Sequence, residues 1–438
     1  MDDSHLQKST QSLLLLLMNF IYNISIQLYY LAIKIASLFD TKAKQWLDGR
    51  NGIFDKLEKA INNEDSIIWF HVASLGEFEQ GKPVIERLKQ EFPSHKILLT
   101  FFSPSGYEIR KSYEKADYIF YLPIDSVKNA RLFISIVNPK LVVFVKYEFW
   151  FNYINELYKN KIPLLMISVI FRPSQHFFKF WGGWSRKQLR KVTWFYVQNK
   201  ESVKLLNDIN IYHTDKSGDT RFDRVFELVK EDTSIPEIKQ FKNNSSLIVA
   251  GSTWAPDEDI LKHILAQSAN QFKLIIAPHV VSETHIKELQ TKFKEFSPIL
   301  FTQFKESYNE HSRVLILNTT GILSHVYKYA EFSYIGGGFG VSIHNLLEPA
   351  TYGQPVVFGP KYEKFQEALD LVQIGSGFPI NNKEDALLIF DKLLTNKDLL
   401  ITTSQNSKDY VNSQVGATNM VLGKIKEFII EPSGQGKL

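Results

Sequence analysis

The chain has 438 residues, of which 44% are hydrophobic, so it is too long for one hydrophobic core of ordinary size and predicts two domains with short additions. Its formal net charge of +4 is mild and excludes the concentrated basicity typical of a nucleic-acid binder. Cysteine is absent, which excludes disulfides, thiolate metal sites and a cysteine nucleophile.

An uncharged, apolar segment lies between Lys8 and Lys34. As one helix it would extend roughly 35 Å at 1.5 Å per residue, enough to cross a hydrocarbon core of about 30 Å. We therefore expect a membrane anchor within residues 1–40. A cleaved signal peptide is the weaker alternative, because the leader carries Asp2 and Asp3 and no compact small-residue cleavage site follows.

The depth of this anchor stays open at this point. A polar stripe on one helical face suits a helix that lies in the membrane interface, and its members are Asn19, Asn23, Gln27 and Lys34. If the helix spans instead, the basic residues after it keep the main body in the cytoplasm; these are Lys34, Lys42, Lys44 and Arg50.

After the anchor, apolar stretches alternate with longer amphipathic ones, and this pattern predicts a parallel sheet with helices on both faces. The predicted strands of the first half are Ile67 to Ala73, Lys96 to Phe101, Leu141 to Val145, Leu164 to Val169 and Thr193 to Gln198. A polar stretch from Asp232 to Ser246 interrupts the pattern, and we interpret it as a linker between two similar domains.

The second half repeats the scheme. Its predicted strands are Leu247 to Ala250, Lys273 to Ala277, Val314 to Leu317, Phe332 to Ile335 and Pro355 to Phe358. The expected division is an anchor (1–40), a first Rossmann-like domain (41–235), a second (246–403) and a terminal helix (404–438) that crosses back to the first. This α/β arrangement, with two Rossmann-like domains facing a cleft, resembles the GT-B glycosyltransferases.

Two segments are candidates for chemistry. Glu77 follows the first predicted strand and would lie at the carboxyl edge of the sheet, where ligands of open α/β sheets bind. Ser74 and Glu77 equally fit a capping box, so both interpretations stay open. A glycine cluster at 336–340 follows a later strand; such glycines allow close approach to a phosphate, although a purely structural turn explains them as well.

A series of segments from Trp69 to the region of Phe378 resembles the bacterial 3-deoxy-D-manno-octulosonic acid (Kdo) transferase family. The order and spacing of the segments make the resemblance specific. They are FHVASLGE ending at Glu77, TFFSPSGYE from Thr100, YLPID from Tyr121, NPKLVVFVKYEFWFN around Glu148, VQNK from Val197, SGDTRFD from Ser217, AGSTW from Ala250 and HNLLEPATYGQPVVFGP from His344.

The resemblance implies an enzyme that transfers Kdo from CMP-Kdo to a glucosamine hydroxyl of a lipid A precursor, with inversion and at the cytoplasmic face of the bacterial inner membrane. Glu77 would be the general base. No cofactor or metal is implied, and no metal-ligand spacing stands out. The alternatives are a GT-B enzyme that uses another nucleotide sugar and a non-catalytic membrane scaffold of the same fold.

The resemblance also assigns the donor site. The residues expected to bind CMP are Pro278, His279, Thr320, Gly321, Ile322, Asn345, Leu346, Leu347 and Glu348. Glu348 is suited to accept hydrogen bonds from ribose hydroxyls. His279 departs from the family, which usually has arginine at this position, and a neutral imidazole gives less charge to a phosphate.

Three further residues are expected at the transition state. Arg221 matches the family's lysine and keeps its charge, and Glu148 matches the second glutamate of a family motif. Lys146 stands where the family has the first glutamate. It would either face the Kdo carboxylate or, as we prefer from the sequence, pair with Glu148.

A basic and aromatic stretch runs from Arg172 to Lys200 without an acidic residue. Such a mixture suits an anionic, acylated acceptor at a bilayer surface, whereas a solvated helix face with a partly buried aromatic stripe is the alternative. Its basic residues are Arg172, Lys179, Arg186, Lys187, Arg190, Lys191 and Lys200, and its aromatic ones are Phe177, Phe178, Phe180, Trp181 and Trp184.

Overall fold

A computed structural model describes residues 3–231 and 233–430. The first two residues of the expected anchor, Asp232 at the start of the expected linker, and the last eight residues of the expected terminal helix lie outside the described residues. The chain forms two compact units. The first comprises Met1–Asp223 and Gly416–Leu438, and the second comprises Arg224–Val415.

The first unit alternates strands and helices after an N-terminal helical region. Its helices and strands are α1 (Asp3–Ala36), α2 (Thr41–Asp48), α3 (Ile53–Ala60), β1 (Ile67–Val72), α4 (Leu75–Glu91), β2 (Lys96–Phe101), α5 (Pro104–Arg110), β3 (Tyr118–Tyr121), α6 (Val127–Val137), β4 (Leu141–Val145), α7 (Phe151–Lys159), β5 (Leu164–Val169), α8 (Gly183–Leu189), β6 (Trp194–Val197), α9 (Lys200–Asn207) and β7 (Thr214–Lys216). The helix α10 (Arg221–Lys230) begins at the end of this part of the first unit.

The seven strands form one parallel sheet in the order β3-β2-β1-β4-β5-β6-β7. The central strands β1 and β4 are buried on both faces, as the continuous apolar runs predict for a parallel sheet covered by helices. Trp69 packs into the cluster on one face with Phe133 and Phe144, whereas Phe70 packs into the cluster on the other face. The first of the two predicted domains is therefore a doubly covered parallel sheet.

The second unit repeats this design. Its elements are α11 (Pro236–Lys242), β8 (Leu247–Thr253), α12 (Ala255–Gln267), β9 (Lys273–Pro278), α13 (Glu283–Lys292), β10 (Ile299–Leu300), α14 (Phe304–Ser307), β11 (Val314–Ile316), α15 (Leu323–Val326), β12 (Phe332–Ile335), α16 (Leu347–Thr351), β13 (Val356–Phe358), α17 (Gln366–Gln373), β14 (Gly377–Pro379), α18 (Lys383–Thr395) and α19 (Lys397–Gln414). The strands form a parallel sheet in the order β10-β11-β9-β8-β12-β13-β14.

The terminal helical segment divides into two helices rather than forming one from residue 404. Gly416, with a φ of 122°, separates α19 from α20 (Ala417–Ile430), because this backbone conformation cannot continue a right-handed helix. Helix α20 belongs to the first unit, where Val421, Leu422 and Ile425 join the cluster that contains Phe70.

The boundary between the units differs from the sequence-based expectation. The chain leaves the first unit at Asp223, whereas the linker was expected at 232–246. That polar stretch contains α11, whose Ile238 and Phe241 are fully buried in the second unit. This short helix has only two apolar residues, at a spacing of three. Its polar composition is therefore typical of a linker, although one face of the helix is buried.

The anchor is helical as expected. Within α1, the segment Leu16–Ala36 has a mean hydropathy of 1.4 and is the one described helix that is long and apolar enough to cross a membrane. Length and composition alone do not distinguish a span from a helix that lies in the interface.

Candidate active site

The carboxyl edge of the first sheet brings together the residues that follow its central strands. Because β1, β4 and β5 are parallel neighbours, the segments after them meet at one edge. Glu77 lies in the first turn of α4 after β1, Lys146 and Glu148 follow β4, and Arg172 follows β5. The sequence placed Glu77 at this edge, and the topology explains why the others lie near it.

Glu77 is half-buried and does not form the expected capping box. Ser74 occupies the N-cap of α4, but its side chain makes no capping bond to the helix backbone. Instead the Ser74 hydroxyl donates a short hydrogen bond to the Glu77 carboxylate. A carboxylate held by a serine hydroxyl at the edge of the sheet remains a proton acceptor, which is what a general base requires.

Glu148 is buried and belongs to a polar network inside the first unit. Its Oε2 lies 3.0 Å from Nε2 of His71 and accepts a 2.6 Å hydrogen bond from the indole of Trp150. The other imidazole nitrogen of His71 lies 2.9 Å from the Thr100 hydroxyl. His71 has no exposed surface. The network fixes the Glu148 carboxylate from the protein interior.

The expected ion pair between Lys146 and Glu148 is wrong. The described partners of Glu148 are His71 and Trp150, and the Lys146 ammonium instead lies 5.7 Å from the centre of the Tyr147 ring. The backbone of Lys146 has a φ of 69°, and this left-handed conformation turns the chain directly after β4. An ion pair between two residues that are two positions apart after a strand cannot be predicted from their spacing alone.

Tyr147 links this turn to Glu77 and Arg172. Burial raises the pKa of the Tyr147 phenol, the positive charge of Arg172 opposes that shift, and the negative charge of Glu77 adds to it. Glu77 and Arg172 therefore both act on the charge environment of the Tyr147 phenol.

Arg221 is anchored by a carboxylate that the sequence did not single out. Asp219 accepts hydrogen bonds from the backbone N–H of Arg221 at 2.9 Å and from its Nε at 3.0 Å. Gln80, one turn after Glu77 on α4, donates to the same carboxylate at 2.7 Å. Burial raises the pKa of Asp219, but the guanidinium and these hydrogen bonds hold it below its ordinary value. This network ties Arg221 to the helix that carries Glu77.

The second unit gathers the expected donor-site residues along its own carboxyl edge. Pro278 ends β9 and His279 follows it, and Thr320, Gly321 and Ile322 lie between β11 and α15. The segment 345–348 follows β12 and the glycine cluster. Leu346 and Leu347 are fully buried and present no accessible surface.

His279 lies in a stack of three rings that the sequence did not reveal. Its ring centre is 4.6 Å from that of Trp254 and 4.4 Å from that of His344, with interplanar angles of 25° and 22°. Burial lowers the pKa of His279. Burial and the neighbouring His279 lower the pKa of His344 to about 4. At neutral pH the stack is therefore an uncharged aromatic surface.

The glycine cluster packs two loops together. Gly337 has a φ of 93°, and its N–H donates to Asp257 at 2.9 Å. A Cβ on Gly338 would lie only 2.6 Å from the Cα of Gly359. The close approach of these two loops explains why glycine is needed here. Gly337 and Gly338 are therefore explained by the turn and its packing, without a bound phosphate.

Glu348 lies in the first turn of α16 and is largely enclosed. Its Oε1 accepts a 3.1 Å hydrogen bond from the Asn345 side chain. Burial raises its pKa, and the opposite charge of Arg224 together with the Asn345 bond opposes that shift. Within the described residues, no group of three or more histidine, aspartate or glutamate side chains could hold a metal ion.

The basic stretch of the first unit is only partly available to a ligand. Arg186 and Arg190 donate to backbone carbonyls, and Lys191 bonds two side-chain oxygens while burial lowers its pKa to about 8. Arg50, also expected to contribute charge at a membrane, donates to three carbonyls and lies between aromatic rings. The exposed basic residues are Lys34, Lys42, Lys44, Arg172, Lys179, Lys187, Arg190 and Lys200.

Comparison with known proteins shows which family this chain resembles. Residues 46–224 match the family model described as 3-deoxy-D-manno-octulosonic-acid transferase (kdotransferase). The chain is 27% identical over 351 residues to the 3-deoxy-D-manno-octulosonic acid transferase of Aquifex aeolicus, covering 78% of this chain and 89% of that protein. It is 25% identical to the transferase of the same name from Haemophilus influenzae, covering 83% of this chain and 87% of that protein.

Solved structures support the architecture. A putative UDP-N-acetylglucosamine 2-epimerase from Listeria monocytogenes superimposes with a TM-score of 0.58 at 14% identity, covering 84% of this chain and 98% of that one. At this identity the likeness concerns the fold alone. Together with the two seven-stranded parallel sheets, it confirms the predicted two-domain α/β fold of the GT-B type.

Proposed function

We propose that this chain, which is similar to 3-deoxy-D-manno-octulosonic acid transferases along most of its length, transfers Kdo from CMP-Kdo to a glucosamine hydroxyl of a lipid A precursor. The reaction belongs to lipopolysaccharide inner-core biosynthesis and takes place at the cytoplasmic face of the bacterial inner membrane. The observation that carries the proposal is the position of Glu77 at the carboxyl edge of β1, bonded by a serine hydroxyl instead of capping its own helix.

In the proposed reaction, Glu77 takes the proton from the acceptor hydroxyl as its oxygen attacks the anomeric carbon of Kdo. A carbon–oxygen bond forms on one face while the bond to the phosphate oxygen of CMP breaks on the other, so the configuration inverts and CMP leaves. One base is sufficient for this single displacement. CMP is a fair leaving group, so the proposal requires no metal.

The cations at the edge of the first sheet are suited to the Kdo carboxylate. Two roles were expected for Lys146, and it is not paired with Glu148. We therefore assign it the other role, which is to face the Kdo carboxylate. Arg221 is held by Asp219, which fixes the direction of its guanidinium. A positioned cation stabilises negative charge without reorganisation during the reaction.

In the second unit we assign CMP binding to the segments that end β9, follow β11 and follow β12. Glu348 would accept hydrogen bonds from the ribose hydroxyls. The phosphate would be met by backbone amides, because His279 is neutral at physiological pH. The ring stack that includes Trp254 and His279 supplies an aromatic surface at the same edge.

The test is Glu77→Gln assayed with CMP-Kdo and a tetraacylated lipid A precursor, with products identified by mass spectrometry. We expect turnover to fall by at least roughly a hundredfold and CMP affinity to stay within about threefold, as expected when a base is lost. Glu86→Gln, half-buried like Glu77 but more than two turns further along the same helix, serves as the matched control. Near-normal turnover of Glu77→Gln would remove Glu77 from the chemistry.

Two measurements separate this function from its rivals. Thermal protection by CMP but not by UDP would exclude an enzyme that uses a UDP-sugar, whereas the reverse would contradict the proposed donor. Any turnover of CMP-Kdo above that of the Glu77→Gln variant would exclude a non-catalytic scaffold. Activity that persists in excess EDTA would support transfer without a metal.

A further inference from the structure

Helix α1 is bound to the first unit along its polar face. The Asn19 side-chain oxygen accepts a 2.9 Å hydrogen bond from the indole of Trp184, and that of Asn23 accepts one of 3.1 Å from Asn152. Between them, the Tyr22 hydroxyl donates a short hydrogen bond to the buried Asp125. The polar stripe that suggested contact with lipid headgroups is therefore used, at Asn19 and Asn23, to hold the helix on the protein.

Apolar contacts extend this attachment along the helix. Ile26 is buried, and the Tyr29 ring lies 6.4 Å from that of Trp46 and 6.2 Å from that of Phe102. The attached length, from Asn19 to Tyr29, is roughly 15 Å at 1.5 Å per residue. It lies within Leu16–Ala36, the segment that is apolar enough to span a membrane.

The opposite face of α1 is apolar and exposed. Its residues recur at spacings of three and four, which places them on one stripe of the helix: Leu17, Ile21, Ile24, Leu28, Leu31 and Ile35. Leu28 alone is 60% exposed. A stripe of this length on a folded protein marks a surface that is covered by a partner or by lipid.

Neighbouring segments extend this apolar surface. Leu38 and Phe39 directly follow α1, and the Phe39 side chain is 88% exposed. Phe180 and Trp181 are also exposed, and they precede α8, whose Trp184 bonds Asn19 of α1. Exposed aromatic rings of this kind are typical of the boundary between headgroups and acyl chains.

Charge indicates which partner covers the surface. From Lys8 to Phe39 the sequence contains no acidic residue. Exposed lysines flank the apolar stripe and the exposed loop, namely Lys34, Lys42, Lys44, Lys179 and Lys187. Lysines around an exposed apolar helix face match an anionic bilayer surface.

A membrane-spanning orientation conflicts with the attachment. If α1 crossed the bilayer, Asn19, Tyr22 and Asn23 would lie in or near the hydrocarbon, where they would lose the partners that now satisfy them. Each unsatisfied polar group there costs several kcal/mol. Asp125 would lose its Tyr22 partner at the same time. Keeping these bonds requires α1 to stay on the surface of the first unit.

We infer that α1 is an in-plane anchor: it lies along the first unit and inserts its outer stripe, with Phe39, Phe180 and Trp181, into one leaflet of an anionic membrane. The inference rests on the proposed location at the membrane surface and specifies how that location is achieved. A surface-bound helix of this type is buried about 5–10 Å into the headgroup and acyl boundary.

The absence of cysteine allows a direct test with single cysteines on the full chain. A fluorophore is attached at Leu17→Cys, Ile24→Cys or Leu31→Cys on the outer stripe, and at Leu388→Cys, an exposed position of the second unit, as control. Each protein is bound to vesicles of anionic phospholipid that carry nitroxide either near the headgroup or near the bilayer centre.

An in-plane helix places the three outer labels at the same shallow depth, so the shallow nitroxide quenches all three most and the control label is not quenched. A spanning helix separates successive labels by roughly 10 Å along the membrane normal. Stronger quenching of the Ile24→Cys label by the deep nitroxide would overturn the inference. Vesicle-bound protein with unquenched outer labels would also overturn it, because another protein copy would then cover the stripe.

A second measurement uses Ser4→Cys, near the start of α1. With protein added outside the vesicles, an in-plane helix leaves this thiol open to a membrane-impermeant maleimide, and a spanning helix protects it. Failure to bind vesicles at all would instead contradict the proposed membrane location. Turnover with a detergent-dispersed acceptor tests the transferase function independently of both.

Discussion

The imidazole of His71 and the carboxylate of Glu148 face each other inside the first unit, with Nε2 3.0 Å from Oε2 and both side chains buried. Glu148 sits directly after β4 at the edge that carries Glu77, so His71 holds one part of the candidate site from the core. A buried, hydrogen-bonded pair of this kind is strongly coupled, because removing either partner leaves the other polar group unsatisfied.

We expect a coupling energy of about 0.5–3 kcal/mol between His71→Gln and Glu148→Gln in a double-mutant cycle of unfolding free energies. The control cycle uses Lys204 and Asp208, an exposed pair on α9, for which about 0.5 kcal/mol or less is expected. Denaturant unfolding of the four proteins of each cycle measures both values. Additive effects at His71 and Glu148 would show that the two side chains do not depend on each other.

The sequence predicted the strands correctly wherever the apolar runs were long. Strands such as β1 and β4 are buried on both faces and were predicted nearly to the residue, since a covered parallel strand is continuously apolar. The short strands β3, β7, β10 and β14 were missed, because two to four residues carry no usable period.

The candidate site was predictable in position but not in its contacts. Glu77 and Glu348 lie where the strand ends place them, but His71, the buried partner of Glu148, is 77 residues away in the sequence. Asp219 is close to Arg221 in the sequence, whereas its other partner, Gln80, is 139 residues away. The three-ring stack was missed for the same reason, because Trp254 and His344 are 90 residues apart and meet only at the edge of the second sheet.

Glu348→Ala should weaken CMP binding by roughly 1–3 kcal/mol, because the ribose hydroxyls lose a charged acceptor. The matched control is Glu384→Ala, at an exposed position in the first turn of α18. Isothermal titration with CMP measures both affinities, and unfolding curves report whether α16 is intact. Unchanged CMP affinity in a folded Glu348→Ala protein would contradict the assignment.

Gly338→Ala should destabilise the second unit by about 1–3 kcal/mol, because a Cβ would lie 2.6 Å from the Cα of Gly359 and neither backbone can yield cheaply. Gly340→Ala is the control in the same loop, since its nearest contact would be 3.4 Å, and we expect a change within about 0.5 kcal/mol. Denaturant unfolding decides between them. Equal stability of the two variants would show that the loops separate easily.

The second unit should lose stability as the pH falls from about 6.5 towards 4. The pKa of His344 is lowered from 6.5 to about 4, chiefly by burial and then by His279. Between these pH values the unfolded chain binds more protons than the folded one. The stability that neutral His344 contributes is therefore present above pH 6.5 and lost on acidification. His344→Gln should flatten the pH dependence of thermal unfolding, whereas His311→Gln, at an exposed position, should not.

Charge should control how tightly the full chain first binds anionic vesicles. Lys179 and Lys187 are exposed in the stretch beside α1, whereas Arg186, Arg190 and Lys191 are held by internal hydrogen bonds and are not suitable for charge reversal. Each lysine near an anionic surface contributes about 1 kcal/mol, so Lys179→Glu with Lys187→Glu should weaken binding by about tenfold or more at low salt.

The effect of this double variant should disappear near 1 M salt, where the Debye length is about 3 Å, while the apolar stripe of α1 keeps both proteins on the membrane. Neutral vesicles should not distinguish them. Lys294→Glu with Lys305→Glu, at exposed positions of the second unit, controls for net charge.

Cosedimentation at two salt concentrations measures binding to the vesicles. Kinetics on the same vesicles should show a raised Michaelis constant for the lipid acceptor and an unchanged Michaelis constant for CMP-Kdo. If the Lys179 and Lys187 variant binds vesicles and turns over like the control, these lysines are solvated surface residues that do not contact the membrane.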